Sequence, residues 1–154
     1  MKEIKRNHYK DTIIYSIDRI LKNLKSELRR RFDSQNNDIT IEQFVVLDTI
    51  SCFKDIYQQQ LSEIIMKDKS NTNRILKVLE QKKLIERISG RVNNRVVYFI
   101  KVTTLGEEIV KKNMPKMKKY ITEIFTNISD NEIELLHVLS DKFETDLSRA
   151  TYEK

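Results

Sequence analysis

Ser70, Asn73, Arg74, Lys77 and Gln81 recur at steps of three and four residues, so on a helix they form one polar stripe. Their chemistry suits a nucleic-acid duplex. An asparagine amide pairs with the edge of adenine, a guanidinium pairs with guanine, and a lysine neutralises a phosphate. Lys69, Ser70 and Asn71 stand where such a helix would begin. There, backbone N–H groups and short polar side chains hold an anion. Downstream, Arg91 and Arg95 flank the tip of a Gly/Asn-containing stretch, SGRVNN. Guanidinium groups placed there reach a narrow, A/T-rich minor groove.

Charge is concentrated on the same stretch. The chain has 29 Lys and Arg against 23 Asp and Glu, and residues 67–95 carry nine of the former and three of the latter. The whole excess of +6 therefore lies in one contiguous segment, as expected of a surface that neutralises phosphates. On charge alone, a solvated helix face beside a charged hairpin accounts for it equally well.

The elements that would position these residues follow from apolar spacing. Ser70 can cap a helix running to about Lys82, with Thr72, Ile75, Leu76 and Leu79 on its inner face. Before it, QQQLSEIIMKD reads as a brief helix with Leu61, Ile64 and Ile65 inward. Two short helices joined by a polar step, the second basic outside, are the pattern of a helix-turn-helix. After it, LIERI and RVVYFIKVT read as two strands around SGRVNN, with Tyr98, Ile100 and Val102 facing inward. A hairpin in that place makes the motif winged. Thr40 opens the helix upstream, with Gln43 as its capping-box partner and Phe44, Leu47 and Ile50 on its buried face.

Long amphipathic helices are expected at both ends. Residues 8–32 carry Ile13, Ile17, Ile20, Leu21, Leu24 and Leu28 in one stripe, and residues 105–150 form two further helices. Pro115 falls inside the first of those and should kink or break it. Ser129 and Glu132 form a capping box before the last. A helix of about 24 residues spans roughly 36 Å. That is more than the central motif needs for cover, so the terminal stripes call for a second chain related by two-fold symmetry.

The expected fold is thus mainly α with a small β-hairpin wing. A winged helix-turn-helix lobe at residues 39–103 is flanked by dimerisation helices at 8–32 and 105–150, all within a single domain over 1–154. A chain of 154 residues suits one domain, and two glycines and one proline suit long helices. No metal, cofactor or nucleophile pattern stands out: His8, His137 and Cys52 are far apart, and Gly90 and Gly106 are too sparse for a phosphate loop. The reading is therefore of a non-enzyme without cofactors. Cys52 is expected to be a buried, inert thiol. With no apolar run long enough to span a bilayer and no signal core in MKEIKRNHYKD, a cytoplasmic protein is expected.

In order and spacing, three segments resemble the MarR (multiple antibiotic resistance regulator) family over nearly the whole chain. They are ITIEQFVVLDTI, the run from Leu61 through DKSNTNRILKVLEQKKLIERI, and NNRVVYFIKVTTLGEEI. The residues that carry the match are Ile39, Thr40, Gln43 and Phe44; then Ser70, Arg74, Leu79, Glu80, Lys82, Leu84, Ile85 and Arg87; then Val102, Thr103 and Gly106. Lys83 stands where the family usually ends the helix with glycine. Arg95 lies one residue farther from Thr103 than usual, an excess that a bulge or longer tip would absorb. The resemblance implies a bacterial regulator, most simply a repressor. It would bind double-stranded DNA at a pseudo-palindromic operator as a homodimer and be regulated by a small-molecule effector or by cysteine oxidation. The rival reading keeps the fold but makes it a protein-interaction module or anti-regulator that does not touch DNA.

Overall fold

The computed structural model describes residues 8–34, 38–53 and 55–152. After a 3-10 turn at Tyr9–Asp11 come helix α1 (Ile13–Asp33), α2 (Ile41–Cys52), strand β1 (Ile56–Tyr57), α3 (Gln58–Ile64), α4 (Lys69–Gln81), β2 (Ile85–Val92), β3 (Arg95–Val102), α5 (Thr104–Ile124) and α6 (Asp130–Tyr152). The three strands form one antiparallel sheet in the order β1–β3–β2. This is a mainly helical winged helix-turn-helix, as the sequence predicts. The chain falls into two compact units, which meet in sequence between Met117 and Lys118.

The core of the first unit comes from the apolar spacing of five helices, with Met117 as the buried hydrophobic residue of α5, and from the sheet. Phe44, Leu47 and Ile50 of α2 are buried together with Leu61 of α3, and Thr72, Ile75, Leu76 and Leu79 of α4 form the expected inner face. Ile56, Leu84, Ile85 and Ile100 close it from the sheet side, and Phe32 meets Phe44 at a ring-centroid distance of 5.3 Å. Thr72 is tolerated there because its hydroxyl donates to the Asp68 carbonyl at 2.9 Å. Thr40 and Gln43 form the predicted capping box, with bonds of 3.3 and 3.2 Å.

Both helices of the helix-turn-helix end in the same way. At the end of α4, Leu84 N–H donates to the Leu79 carbonyl and Lys83 N–H to that of Glu80, both at 2.9 Å, with Lys83 at φ 58°. At the end of α3, Lys67 N–H donates to Ser62 and Met66 N–H to Glu63, with Met66 at φ 51°. Each is a Schellman ending, in which glycine usually takes the left-handed position. Here a lysine and a methionine hold it, at a conformational cost.

A second junction joins α4, the wing and α5. Thr103 N–H donates to the Leu84 carbonyl at 3.0 Å, and its hydroxyl donates to the Lys83 carbonyl at 2.7 Å. Gly106 N–H returns a bond to that hydroxyl at 3.2 Å. A Cβ on Gly106 would lie 2.3 Å from the Leu84 carbonyl oxygen, so only glycine permits this approach.

Several expectations are corrected. Helix α1 starts at Ile13 rather than His8, because the Thr12 hydroxyl accepts the Tyr15 N–H and sets the boundary. A short strand, β1, which sequence reasoning did not anticipate, precedes α3; two residues are too few to show alternation. Ile64 is exposed while Leu61 and Ile65 pack inward. Tyr98 is 57% exposed, since the ribbon has left the core by that point. Pro115 does not break α5, which runs on to Ile124. The carbonyl it leaves without a helical donor belongs to Lys111, and both residues are exposed, which places that row where water can serve. Cys52 is exposed, not buried. It lies two residues beyond Ile50 and hence about 200° around α2 from the buried face.

Among the described residues no helix is long and apolar enough to cross a membrane. In α1, Glu27 accepts bonds from Arg30 and Arg31, which draw its carboxyl from the ordinary 4.5 down to about 2. In the second unit, α6 begins at the predicted box, where Ser129 N–H donates to Glu132 at 2.8 Å.

Replacing Lys83 or Met66 with glycine should raise stability by about 0.5–1 kcal/mol each, since the left-handed cost to an L-residue exceeds the extra chain entropy of glycine. Denaturant midpoints of the two variants measure it; a lower midpoint for both would contradict this account of the helix ends.

Candidate nucleic-acid interface

Helix α4 owes its start to Asp68 rather than to Ser70. The Asp68 carboxylate accepts the Asn71 N–H at 2.8 Å and the Asn71 side-chain amide at 2.5 Å. Ser70 therefore sits in the first turn. Both residue types cap well, but the acid is the one whose carboxylate spans to the third helical N–H. The bonds from Asn71 hold the Asp68 carboxyl below its usual range. An anion thus already occupies the positive end of this helix, and the Asn71 N–H is not open to a phosphate. The exposed side chains of Lys69 and Ser70 remain for that role.

Along the outer face, Arg74 and Lys77 are exposed, while Asn73 is half-buried. Arg74 pairs with no acid among the described residues, and neither do Lys69, Lys77, Arg91 and Arg95. Three other cations of the basic segment are engaged within the fold. Lys67 lies 3.9 Å from Glu42, which also meets Arg29 at 3.2 Å. Lys82 Nζ donates to the Asp38 carbonyl. Arg87 lies 3.3 Å from Glu80, and both of its terminal nitrogens approach Asn73 Oδ1 at 3.5 Å.

The wing is a regular ribbon. Pairing runs without interruption from Ile85↔Val102 to Val92↔Arg95. Asn93 and Asn94 close it with φ of 48° and 62°. Two left-handed residues in a two-residue loop match the twist of the strands. No bulge is therefore needed to absorb the position of Arg95. Arg91 pairs with Val96 and Arg95 with Val92, so the two guanidinium groups leave from opposite faces of the tip. Phe99 packs over Gly90, where a Cβ would lie 2.5 Å from its ring.

The structure thus assembles Asn73, Arg74 and Lys77 on one face of α4, places Lys69, Ser70 and Asn71 in its first turn, and sets Arg91 and Arg95 at the ribbon tip. Sequence reasoning missed two participants, Asp68 and Arg87. Asp68 stands two residues before the serine taken as cap. Arg87 shares the inward row of β2 with Ile85, and a charge on such a row requires partners. Among the described residues, no three His, Cys, Asp or Glu side chains gather into a metal-binding group.

Comparison with known proteins agrees with this geometry. Residues 39–97 match the model of the MarR family. An uncharacterized HTH-type transcriptional regulator of Bacillus subtilis (strain 168), YsmB, is 26% identical over 111 residues, covering 72% of this chain and 75% of that protein. A solved structure of a mutant MarR from E. coli complexed with operator DNA is 25% identical, with a TM-score of 0.72 over 90% of this chain and 99% of that one. A MarR/EmrR family transcriptional regulator from Acinetobacter sp. ADP1 shares the fold, with a TM-score of 0.76 at 21% identity over 90% of this chain and 99% of that one. Residues 39–97 are thus similar to the winged helix-turn-helix of the MarR family, and the chain shares the fold of the MarR-family structures compared.

Proposed function

We propose that this protein is a homodimeric transcriptional repressor that binds a pseudo-palindromic operator, with α4 in the major groove and the wing at the adjacent minor groove. The observation that carries the reading is the row of cations without acidic partners, Lys69, Arg74 and Lys77 on α4 with Arg91 and Arg95 on the wing. Unpaired cations clustered on one motif are what phosphate neutralisation and base-edge contact require. Arg74 and Lys77 meet bases and phosphates, Lys69 and Ser70 a phosphate at the helix start, and the wing arginines the groove and its flank. A small-molecule effector that alters the separation of the two recognition helices would release the operator. The structure of E. coli MarR complexed with operator DNA supports the mode of docking by likeness of fold and sequence.

The dimer is supported by apolar rows left uncovered in one chain. Ile13, Ile17, Ile20 and Leu21 on α1 are exposed, as are Leu135, Leu136, Val138, Leu139 and Phe143 on α6. Surfaces of this kind mark association sites. A two-fold pair would hold two recognition helices about 34–36 Å apart, one turn of DNA.

Arg74→Ala should weaken operator binding by about 1–3 kcal/mol, and Lys77→Ala should reduce the salt slope by about one unit. Anisotropy titrations across salt concentrations read both, and unchanged affinity of the Arg74 variant would remove that assignment. Asp68→Asn keeps a good cap but removes an anion from the DNA-facing end of α4, so it should tighten binding most in dilute salt. Weaker binding by a folded variant would show that this carboxylate is not facing phosphate. In sedimentation, the wild type should run as a dimer, and glutamate at both Ile17 and Leu139 should shift it to a monomer; a monomeric wild type at micromolar concentration sinks the two-fold arrangement.

A further inference from the structure

Arg87 does more than close the motif. Its position on β2 is opposite Ile100, which is 2% exposed, and its own side chain is 21% exposed. The guanidinium is held between Glu80, 3.3 Å from Nε, and Asn73 Oδ1, 3.5 Å from each terminal nitrogen. All three residues belong to the recognition helix or to the strand behind it. An arginine offers only donors, so the amide atom that faces it must be the oxygen. Turning the Asn73 amide over would set two N–H groups against a cation, which fixes the orientation on chemical grounds.

With Oδ1 engaged, Asn73 has its Nδ2 hydrogens to offer, and neither has a partner among the described residues. Paired recognition of adenine needs both halves of the amide, the oxygen for the 6-amino group and the nitrogen for N7. We infer that Asn73 reads DNA as a donor only, with Arg87 as the positioning residue that fixes it. It therefore selects a base whose major-groove edge offers acceptors, guanine or thymine, over adenine. Adenine opposite this amide would leave its 6-amino donor facing N–H groups, an unpaired contact that costs affinity. This replaces the asparagine–adenine pairing expected from sequence, and it rests on the DNA-binding reading above.

The test is selection of sites from a randomised duplex library by wild type, Asn73→Ala and Arg87→Met, with folding checked by circular dichroism. Asn73→Ala should relax one base position in each half-site, and wild type should prefer guanine or thymine there. Arg87→Met removes every donor that holds the oxygen. It should raise adenine at that position about fivefold or more, the least discrimination expected of a two-bond contact, without changing the salt slope. A purely structural role for Arg87 would lower affinity at all sites alike and leave the base preference in place, and that outcome overturns the inference. So does a wild type that already prefers adenine there, or an Asn73→Ala protein that relaxes no position. If Arg87→Met does not fold, the wild-type and Asn73→Ala selections decide. Should wild type bind no duplex even in dilute salt, the DNA-binding reading fails and this inference with it; the other adverse outcomes, obtained with binding intact, count against the donor-only assignment alone.

Discussion

The close approach of Gly106 to the Leu84 carbonyl is the constraint on which the rest of the candidate interface depends. At that point the end of the recognition helix, the base of the wing and the start of α5 meet within one set of hydrogen bonds centred on Thr103. A backbone carbonyl can serve Thr103 there because no side chain stands on Gly106. Leu79 and Leu84, the positions that bracket the Schellman ending and are commonly apolar, are both buried at the same corner. Helix α4 and ribbon β2–β3 are thus fixed to each other at their common end, and the polar residues they carry are held at set separations.

Around that corner, charge is divided between structure and surface. Arg29 and Lys67 converge on Glu42, Lys82 reaches the Asp38 carbonyl, and Arg87 is held by Glu80 and Asn73. Such exposed or half-exposed pairs contribute little stability each. Their value lies in direction: they fasten the loops and the strand next to α4 and leave Lys69, Arg74 and Lys77 pointing at solvent. Asp68 belongs to the same division. It begins the helix, and in doing so places a negative charge where a phosphate would otherwise be drawn.

Most of the architecture was legible in the amino-acid order because it follows local rules. The capping box at Thr40 and Gln43, the inner face of α4 and the change from helical to strand period after Leu84 are set by neighbours within a few residues. What escaped depended on distant partners or on competition between near equals. Asp68 and Ser70 are both good caps, and only geometry chose. The pairing of β1 with β3 depends on residues more than forty positions apart. Tyr98 follows the alternation of its strand, but the core it should enter ends before reaching it. Arg87 could be read as one more basic residue until its row in the sheet was known.

The unbroken wing has a consequence for how such a ribbon could be lengthened. Its turn takes two residues and its pairing has no bulge, so the sides on which Arg91 and Arg95 emerge are set by counting back to the base. One extra residue in each strand would exchange those sides. Two in each would restore them and carry the tip outward by about 6.8 Å. The reach of this arm is therefore stepped rather than continuous: the distance at which both guanidinium groups keep their sides changes in whole pleats.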